Sequence, residues 1–355
     1  MSYVYVINSG MGEGPPGTVS VIDTKTHAVF STIRMNTSPQ SIAITPNGQF
    51  AYVGDQNPMS DQRTIAVIDV KSNDKVATVE IENISKYLVI SPKSQFVYVL
   101  MLENISVIDS KKNEVVATIA VKTTNAEAFA ITPDGKFIYV PSEVGAGNTV
   151  SVIDAKSNCI IGTIETADFP VKLAITPDGK FVYVASSDEG ISVIDTKEQS
   201  VIATVVLESG IENVVFTPDS QFAYVTDSIT GTAFIIDVKT HALIAKVPAG
   251  MGTGKLAITP NGQFGYILDF NSTIVTVVDV KTHSVIAIVQ TGIVPFDLVI
   301  TPDSQFVYVI SNLNQKGIVS VIDVKTHSVI ATVEVGINPF AIAITPCLDG
   351  GYIQG

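Results

Sequence analysis

Positively charged side chains are scarce in this sequence. Its 355 residues include 21 lysines and arginines against 34 aspartates and glutamates, which gives a formal net charge of -13. A chain of this charge repels the phosphate backbone that dominates nucleic-acid affinity. The composition therefore argues against nucleic acid as a partner.

Long apolar runs are also missing, although 46% of the residues are hydrophobic. Spanning a bilayer takes about 20 consecutive apolar residues, and charged residues, prolines or glycines interrupt every hydrophobic stretch. We therefore expect no insertion into a membrane.

The first residues, Met1 to Ile7, have neither the basic start nor the apolar core of a signal peptide. They predict a cytoplasmic protein, or an extracellular or cell-surface one if a leader precedes this sequence.

Cysteine is rare as well. Cys159 and Cys347 are far apart and form no Cys-x-x-Cys spacing, so they support neither a metal knuckle nor a disulfide framework. We expect both to be free thiols.

What the sequence does contain is an internal repeat. A Val/Ile-rich run that ends in aspartate, followed two residues later by lysine, occurs eight times at a spacing of 40 to 46 residues. This is the period of a β-propeller blade. The aspartates are Asp23, Asp69, Asp109, Asp154, Asp195, Asp237, Asp279 and Asp323.

Each repeat is predicted to hold four strands, which we name A to D. Strand A ends at a Thr-Pro or Ser-Pro turn, strand B carries a tyrosine, strand C ends at the repeated aspartate, and strand D follows the next turn. Val, Ile, Tyr and Thr dominate these short runs, as in strands and not helices. Neither the shorter coils of a β-solenoid nor linkers between separate domains are visible.

The fold prediction is therefore an all-β, single-domain β-propeller over residues 1–355, with eight four-stranded antiparallel blades; seven blades are the alternative. The chain begins at a B strand, and its final A strand is Phe340 to Thr345. That last strand is predicted to pair with the N-terminal strands and close the propeller. Gly351 to Gly355 and Met1 to Ile7 both remain candidates for the B strand of the first blade.

The repeats resemble the YVTN family of β-propeller repeats over nearly the whole chain. The string Tyr224-Val-Thr-Asp and the string Thr-Val-Ser-Val-Ile-Asp, at Thr18 and again at Thr149, carry this resemblance. It implies a relation to surface-layer proteins, secreted scaffolds and other binding proteins. Many similar proteins look seven-bladed, so eight repeats are a departure.

In a repeat protein, residues shared by all repeats build the fold, and function is expected where the repeats differ. The four histidines, His27, His241, His283 and His327, occupy one slot of the C–D turn in four blades. We therefore interpret them as structural residues and not as a metal site. The A–B and C–D turns are nearly invariant, whereas the B–C loops differ in every repeat.

These variable loops are acidic, and scaffolded variable loops are the usual place for binding. Hard cations such as Ca²⁺ take six to eight oxygen ligands, so a Ca²⁺ site in the loop from Asp55 to Asp61 is an alternative to plain solvated carboxylates. The candidate binding residues are Asp55, Asp61, Glu103, Glu143, Asp188, Glu189, Asp227 and Asp269.

A second set of candidates opens the A strands. These positions also vary between repeats, and polar residues that converge there could orient a small ligand; the alternative is a water-filled tunnel with a polar lining. They are Tyr87, Lys172, Asn213, Lys255 and Asp297.

These observations favour a monomeric, non-enzymatic scaffold without a cofactor, whose acidic loops bind a protein, a small ligand or a cation. The alternative is an enzyme at the mouth of the propeller, because propellers that resemble this one include lactonases, streptogramin lyases and the heme d1 domain of nitrite reductases. Heme d1 would call for an axial histidine and for arginines at its carboxylates. The only arginines are Arg34 and Arg63, and no histidine lies outside the repeated turn.

Overall fold

The computed structural model describes residues 2–10, 16–35, 38–56, 63–123, 128–142, 148–167, 169–186, 190–207, 210–313 and 316–347. Every regular element in these ranges is a β-strand. The described residues accordingly include no helix long and apolar enough to cross a membrane.

Seven sheets each contain four strands that follow one another in the chain. Their strands, in the order A to D, are β4–β7 (Ser38–Ile44, Phe50–Gln56, Thr64–Asp69, Asp74–Glu80), β8–β11 (Tyr87–Ile90, Phe96–Leu100, Asn104–Asp109, Glu114–Ala120), β12–β15 (Ala130–Ile131, Phe137–Ser142, Thr149–Asp154, Cys159–Glu165), β16–β19 (Pro170–Ile175, Phe181–Ser186, Gly190–Asp195, Ser200–Val205), β20–β23 (Ile211–Phe216, Phe222–Asp227, Thr232–Asp237, Ala242–Pro248), β24–β27 (Thr253–Ile258, Phe264–Asp269, Ile274–Asp279, Ser284–Gln290) and β28–β31 (Pro295–Ile300, Phe306–Leu313, Lys316–Asp323, Ser328–Ile337).

The eighth sheet joins the two ends of the described chain. It consists of β1 (Tyr3–Asn8), β2 (Thr18–Asp23), β3 (Ala28–Arg34) and β32 (Pro339–Ile344), in the order β3-β2-β1-β32. Strands β1 and β32 are antiparallel, with Val4 opposite Ile344. The predicted eight-bladed β-propeller and the predicted pairing of its terminal strands are confirmed, and Tyr3–Asn8 fills the open B position.

The chain divides into two compact units. Unit 1 comprises residues 1–101, 106–117 and 289–355, and unit 2 comprises residues 102–105 and 118–288. The prediction of a single domain stays a prediction.

Burial along the strands explains their composition. Strands B and C lie in the middle of each sheet and are covered on both faces, so β17 and β18 are buried almost throughout. Strand D is the outer strand, and β15 alternates toward its end between exposed and covered positions. The apolar cores lie between neighbouring sheets, where Tyr183, Val193 and Phe234 belong to one such core in unit 2. Burying β-branched and aromatic side chains between sheets is the main stabilising force here.

The repeated aspartate builds the C–D turn. The Oδ1 atom of Asp237, for example, accepts hydrogen bonds from the backbone N and the hydroxyl of Thr240, both within 2.8 Å. These bonds, with that of the Thr240 hydroxyl first, lower the pKa of Asp237. The structure therefore gives the repeated aspartate the turn-building role that the repeat pattern indicated.

The residue four positions after each repeated aspartate has a backbone conformation in the left-handed region. His27, for example, has a φ of 51°, and its backbone N donates to the Asp23 carbonyl at 2.9 Å. Asparagine and histidine enter this region more readily than most side chains. The eight left-handed residues, which we call the slot residues, are His27, Asn73, Asn113, Asn158, Gln199, His241, His283 and His327.

Slot residues join neighbouring blades. The fully buried Tyr183 places its hydroxyl 2.9 Å from Nδ1 of His241, and Tyr224 lies 2.8 Å from Nδ1 of His283 in the same way. Asparagine can make the same contact, since the Tyr52 hydroxyl donates to Oδ1 of Asn113 at 3.0 Å, although Oδ1 of the slot residue Asn158 has no partner among the described residues. The histidines thus satisfy tyrosine hydroxyls that would otherwise be buried without a partner.

These contacts predict an acid-sensitive stability. Burial lowers the pKa of all four slot histidines, and the nearby turn aspartates oppose this effect. The folded state therefore binds fewer protons than the unfolded chain, so the contribution is complete above about pH 6.5 and is lost as the pH falls through the lowered pKa values. Urea unfolding between pH 7 and pH 5 should show a falling midpoint.

The matched control replaces all four histidines by asparagine, the residue that the structure already uses in other slots. This variant should keep a nearly constant midpoint between pH 7 and pH 5. If the urea midpoint of the variant depends on pH as that of the original protein does, the slot histidines are not the cause of the acid sensitivity.

Candidate functional site

The variable first strands begin with β-bulges. In β16 the register shifts between Pro170 and Lys172, in β20 between Ile211 and Asn213, and in β28 just before Asp297. A bulge inserts an extra residue and turns the neighbouring side chains, which is why bulges are frequent beside functional sites. The bulges therefore lie at the beginning of the A strands, where the second set of predicted candidate residues is found.

In unit 2, hydrogen bonds connect the beginnings of neighbouring A strands. Lys172 on β16 donates from Nζ to the carbonyl oxygen of Glu212 on β20 at 2.7 Å, and its ammonium lies 3.5 Å from the Glu212 carboxylate. Asn213 donates from Nδ2 to the carbonyl oxygen of Leu256 on β24 at 3.4 Å. Lys255, on the same strand, is exposed. The structure thus brings the predicted residues Lys172, Asn213 and Lys255 to neighbouring strands.

Large apolar side chains are exposed at this same end of the unit 2 sheets. They lie in the D–A and B–C connections, which meet where the A strands begin. We call this end, with its exposed apolar side chains and the two lysines Lys172 and Lys255, the unit 2 rim. The four most exposed of these apolar residues define the rim, namely Phe169 (56%), Val206 (80%), Ile229 (61%) and Met251 (69%).

Phe169 also has an unusual backbone. Its φ is 55°, and the left-handed region is disfavoured for a bulky side chain. It directly precedes Pro170, which restricts the backbone further. Strained residues of this kind cluster at binding and active sites, and here the strain presents an aromatic ring to solvent.

Two of the predicted acidic loop residues are buried. Asp227 is completely inaccessible, and its Oδ1 accepts hydrogen bonds from the backbone N atoms of Ile229 and Thr230 at 2.8 and 3.0 Å. Asp269 is 4% exposed and accepts from Gly252 N and Asn271 N. Both carboxylates organise connections of the rim from inside and do not form its surface.

The other predicted residues are spread over the molecule. Glu103 is exposed in unit 2; Tyr87 is exposed and Asp297 is buried, both in unit 1. The Asp55 side chain lies outside the described part of the structure, as do Asp61, Glu143, Asp188 and Glu189. The Ca²⁺ alternative at Asp55 and Asp61 thus falls where nothing is described.

Metal-binding side chains do not converge in the described ranges. No group of three or more histidine, cysteine, aspartate or glutamate residues is placed to hold an ion there. Both cysteines are free and exposed, as expected. In unit 2, His241 and His283 occupy C–D turns at the opposite end of their sheets from the unit 2 rim, so the described rim offers no imidazole.

One family of known proteins matches part of this sequence. The sequence model of the family described as "Cytochrome D1 heme domain" matches residues 143–261, which is less than half of the chain. No curated protein matches the sequence.

Many solved structures share the fold, and two of them match over most of this chain. One is the dihydro-heme d1 dehydrogenase NirN in complex with DHE, with a TM-score of 0.80 and 14% identity over 96% of this chain and 74% of that chain. The other is hydrazine synthase of Kuenenia stuttgartiensis, with a TM-score of 0.61 and 20% identity over 84% of this chain and 96% of that chain.

The family match corrects two predictions made from the sequence. The non-enzymatic scaffold, with its lactonase or lyase alternative, is wrong, because the matched family is a heme domain. The prediction of no cofactor, with Ca²⁺ as the alternative, is wrong for the same reason. The heme d1 alternative was disfavoured because the sequence has two arginines and no histidine outside the repeated turn, and the family match contradicts that reasoning. The eight-bladed propeller holds, and a specifically YVTN-type repeat is not supported.

Proposed function

We propose that this chain binds a heme d1-type tetrapyrrole at the unit 2 rim. The observation that carries the proposal is the match of residues 143–261 to the heme domain family. That stretch contains all four exposed apolar residues of the rim and both of its lysines. Repeats like those of the YVTN family would then serve only as the framework that presents the rim.

The chemistry of the rim suits such a ligand. A tetrapyrrole combines a flat apolar macrocycle with carboxylates, so it needs apolar contacts and cationic partners. Phe169, Ile229 and Met251 would contact the macrocycle, and Phe169 is already held outward by its backbone. Lys172 and Lys255 would bind carboxylates, with Lys172 fixed in position by Glu212.

The described rim fits the macrocycle and its carboxylates, but not an imidazole-ligated iron. Such a ligand supplies one-electron redox chemistry through its iron when it is bound. The side chains of the rim bind and orient the ligand and cover its apolar surface. We therefore propose binding without a histidine ligand from the described residues.

Titration with heme d1, followed by absorbance, tests the proposal. Replacing both Lys172 and Lys255 by glutamine should weaken binding by about tenfold, because two charge-assisted contacts are lost. The matched control replaces Lys197 and Lys239 by glutamine. Both lysines are exposed in C–D turns of the same unit, so this variant should bind heme d1 as the original protein does. Absence of binding, or an equal loss in both double variants, would refute the assignment.

A second measurement separates the ligand from its iron coordination. The variant in which all four slot histidines are asparagine should bind heme d1 with an unchanged absorption spectrum. A changed spectrum would show that a slot histidine coordinates the iron, contrary to the proposal.

A further inference from the structure

Two connections of the unit 2 rim are locked together around Phe270. Residues 249–252 join β23 to β24, and residues 270–273 join β25 to β26. The backbone N of Phe270 donates to the carbonyl oxygen of Gly252 at 2.8 Å. The buried Asp269 accepts at Oδ1 from the backbone N atoms of Gly252 and Asn271, at 3.0 and 2.9 Å. These bonds fix the backbone on both sides of Phe270.

Glycine is required where the two connections touch. A Cβ added at Gly252 would lie 2.5 Å from the backbone N of Asn271, and one added at Gly254 would lie 2.1 Å from Cε2 of Phe270. Real Cβ atoms do not approach other atoms this closely. The Phe270 ring therefore occupies the space that a side chain at position 254 would fill. Gly254 is buried, whereas Phe270 is partly exposed and keeps surface for a ligand.

Both halves of this arrangement depart from other repeats. Other A strands carry a side chain at the position of Gly254, such as Glu212 and Phe296. The position of Phe270, directly after strand B, holds a serine in the preceding repeat, Ser228. Because function is expected where the repeats differ, two departures that fit each other indicate a role for the ring of Phe270 at this end of the sheet.

We propose that Phe270 stacks on the flat ring system of the ligand bound at the unit 2 rim. The identity of that ligand as a tetrapyrrole rests on the proposed function. Aromatic rings prefer offset stacking on one another, which a saturated ring system does not provide. Because the fixed backbone and the contact with Gly254 already hold the ring, little side-chain freedom is lost on binding. Phe270 lies outside residues 143–261, so the ligand surface extends beyond the segment of the family match.

Replacing Phe270 by leucine keeps an apolar side chain and removes only the aromatic ring. Heme d1 binding, followed by absorbance, should weaken about fivefold, whereas Phe270→Tyr should stay within about twofold. The matched control is Leu102→Ala, which changes an exposed apolar residue in another B–C connection of unit 2 and should leave heme d1 affinity unchanged. Unchanged affinity in Phe270→Leu, or equal losses in the leucine and tyrosine variants, would overturn the proposal.

A second variant displaces the ring without removing it. Gly254→Ala should weaken heme d1 binding about as much as Phe270→Leu, and the double variant should lose little more, because both changes remove the same contact. Gly162→Ala is the control, since an added Cβ there meets no atom within 4 Å. Full affinity in Gly254→Ala, with folding verified by circular dichroism, would contradict the stacking position. If Gly254→Ala does not fold, the contrast between Phe270→Leu and Phe270→Tyr decides the question.

Two smaller carboxylates separate this inference from the tetrapyrrole proposal. 1-Pyrenebutyrate has a flat aromatic ring system, and cholate has a saturated one. Calorimetry should show tighter binding of 1-pyrenebutyrate, and Phe270→Leu should remove most of the difference. Binding of 1-pyrenebutyrate that depends on Phe270, without binding of heme d1, would refute the tetrapyrrole and support stacking. Binding of heme d1 that is insensitive to Phe270→Leu would overturn stacking and leave the tetrapyrrole proposal intact, and absence of binding by all three compounds would refute both.

Discussion

Replacing Tyr183 by alanine is expected to lower the free energy of unfolding by about 4 kcal/mol, as for other buried aromatic residues cut back to alanine. Its ring is fully buried and meets Phe216 edge-on, with the ring centres 5.0 Å apart. Its hydroxyl contacts the slot residue His241 of the next blade. Alanine would remove both contacts and leave a cavity between two sheets. Equilibrium unfolding in urea, followed by circular dichroism, measures the effect.

The conservative control is Tyr183→Phe, which keeps the ring and removes only the hydroxyl. Its expected cost is about 1 kcal/mol, the usual net value of one hydrogen bond, together with the unsatisfied partner that it leaves. If alanine and phenylalanine have equal effects, then packing between the sheets contributes less than we infer. A loss below about 1 kcal/mol for alanine would contradict the structure at this position.

Asp227→Lys is the second substitution for which a large effect is expected, about 4 kcal/mol or complete loss of the folded protein. The carboxylate is inaccessible to solvent and accepts from two backbone N atoms of its own turn. Lysine cannot accept these hydrogen bonds and would bring an unpaired charge into a buried position. Urea unfolding, or the yield of soluble protein, provides the measurement.

Two controls separate burial from loss of charge. Asp227→Asn retains an acceptor oxygen and should cost about 1 kcal/mol. Glu103→Lys reverses an exposed charge in another B–C connection and should stay within about 0.5 kcal/mol. A stable, soluble Asp227→Lys protein would mean that this turn is open to solvent.

The architecture could be predicted from the sequence because the repeat supplies the same information eight times. One aspartate before a turn is weak evidence, but Asp23 and its seven counterparts fix the strand order and the length of a blade. The pairing of β1 with β32 could be predicted because the first repeat begins at its B strand and the last A strand stands alone at the other end of the sequence. These are local and periodic features, which the order of residues records directly.

The site was harder to predict because exposure at a strand end is not periodic. Asp227 and Asp269 looked like loop carboxylates, yet they are the last residues of B strands. The equivalent residues Asn8, Ser186 and Ser311 are buried as well, which a stricter alignment of the repeats would have indicated.

The apolar half of the rim was missed for a related reason. Val206, Ile229 and Met251 match the general hydrophobic composition of the strands, so their exposure became visible only with the structure. The sequence offered one usable signal, namely large apolar residues in connections where other repeats have small or polar ones.

The bond between a buried tyrosine and a slot residue also bears on how such a protein can grow. Five tyrosine hydroxyls contact the slot residue of the following blade, whereas the hydroxyl of Tyr139 has no partner among the described residues. In Tyr52 with Asn113 and in Tyr183 with His241 the two partners come from consecutive repeats. A duplicated repeat would therefore bring a donor and an acceptor together, and insertion would leave neither neighbour unmatched. Duplication of a repeat that makes this contact can thus change the number of blades without new compensating substitutions there.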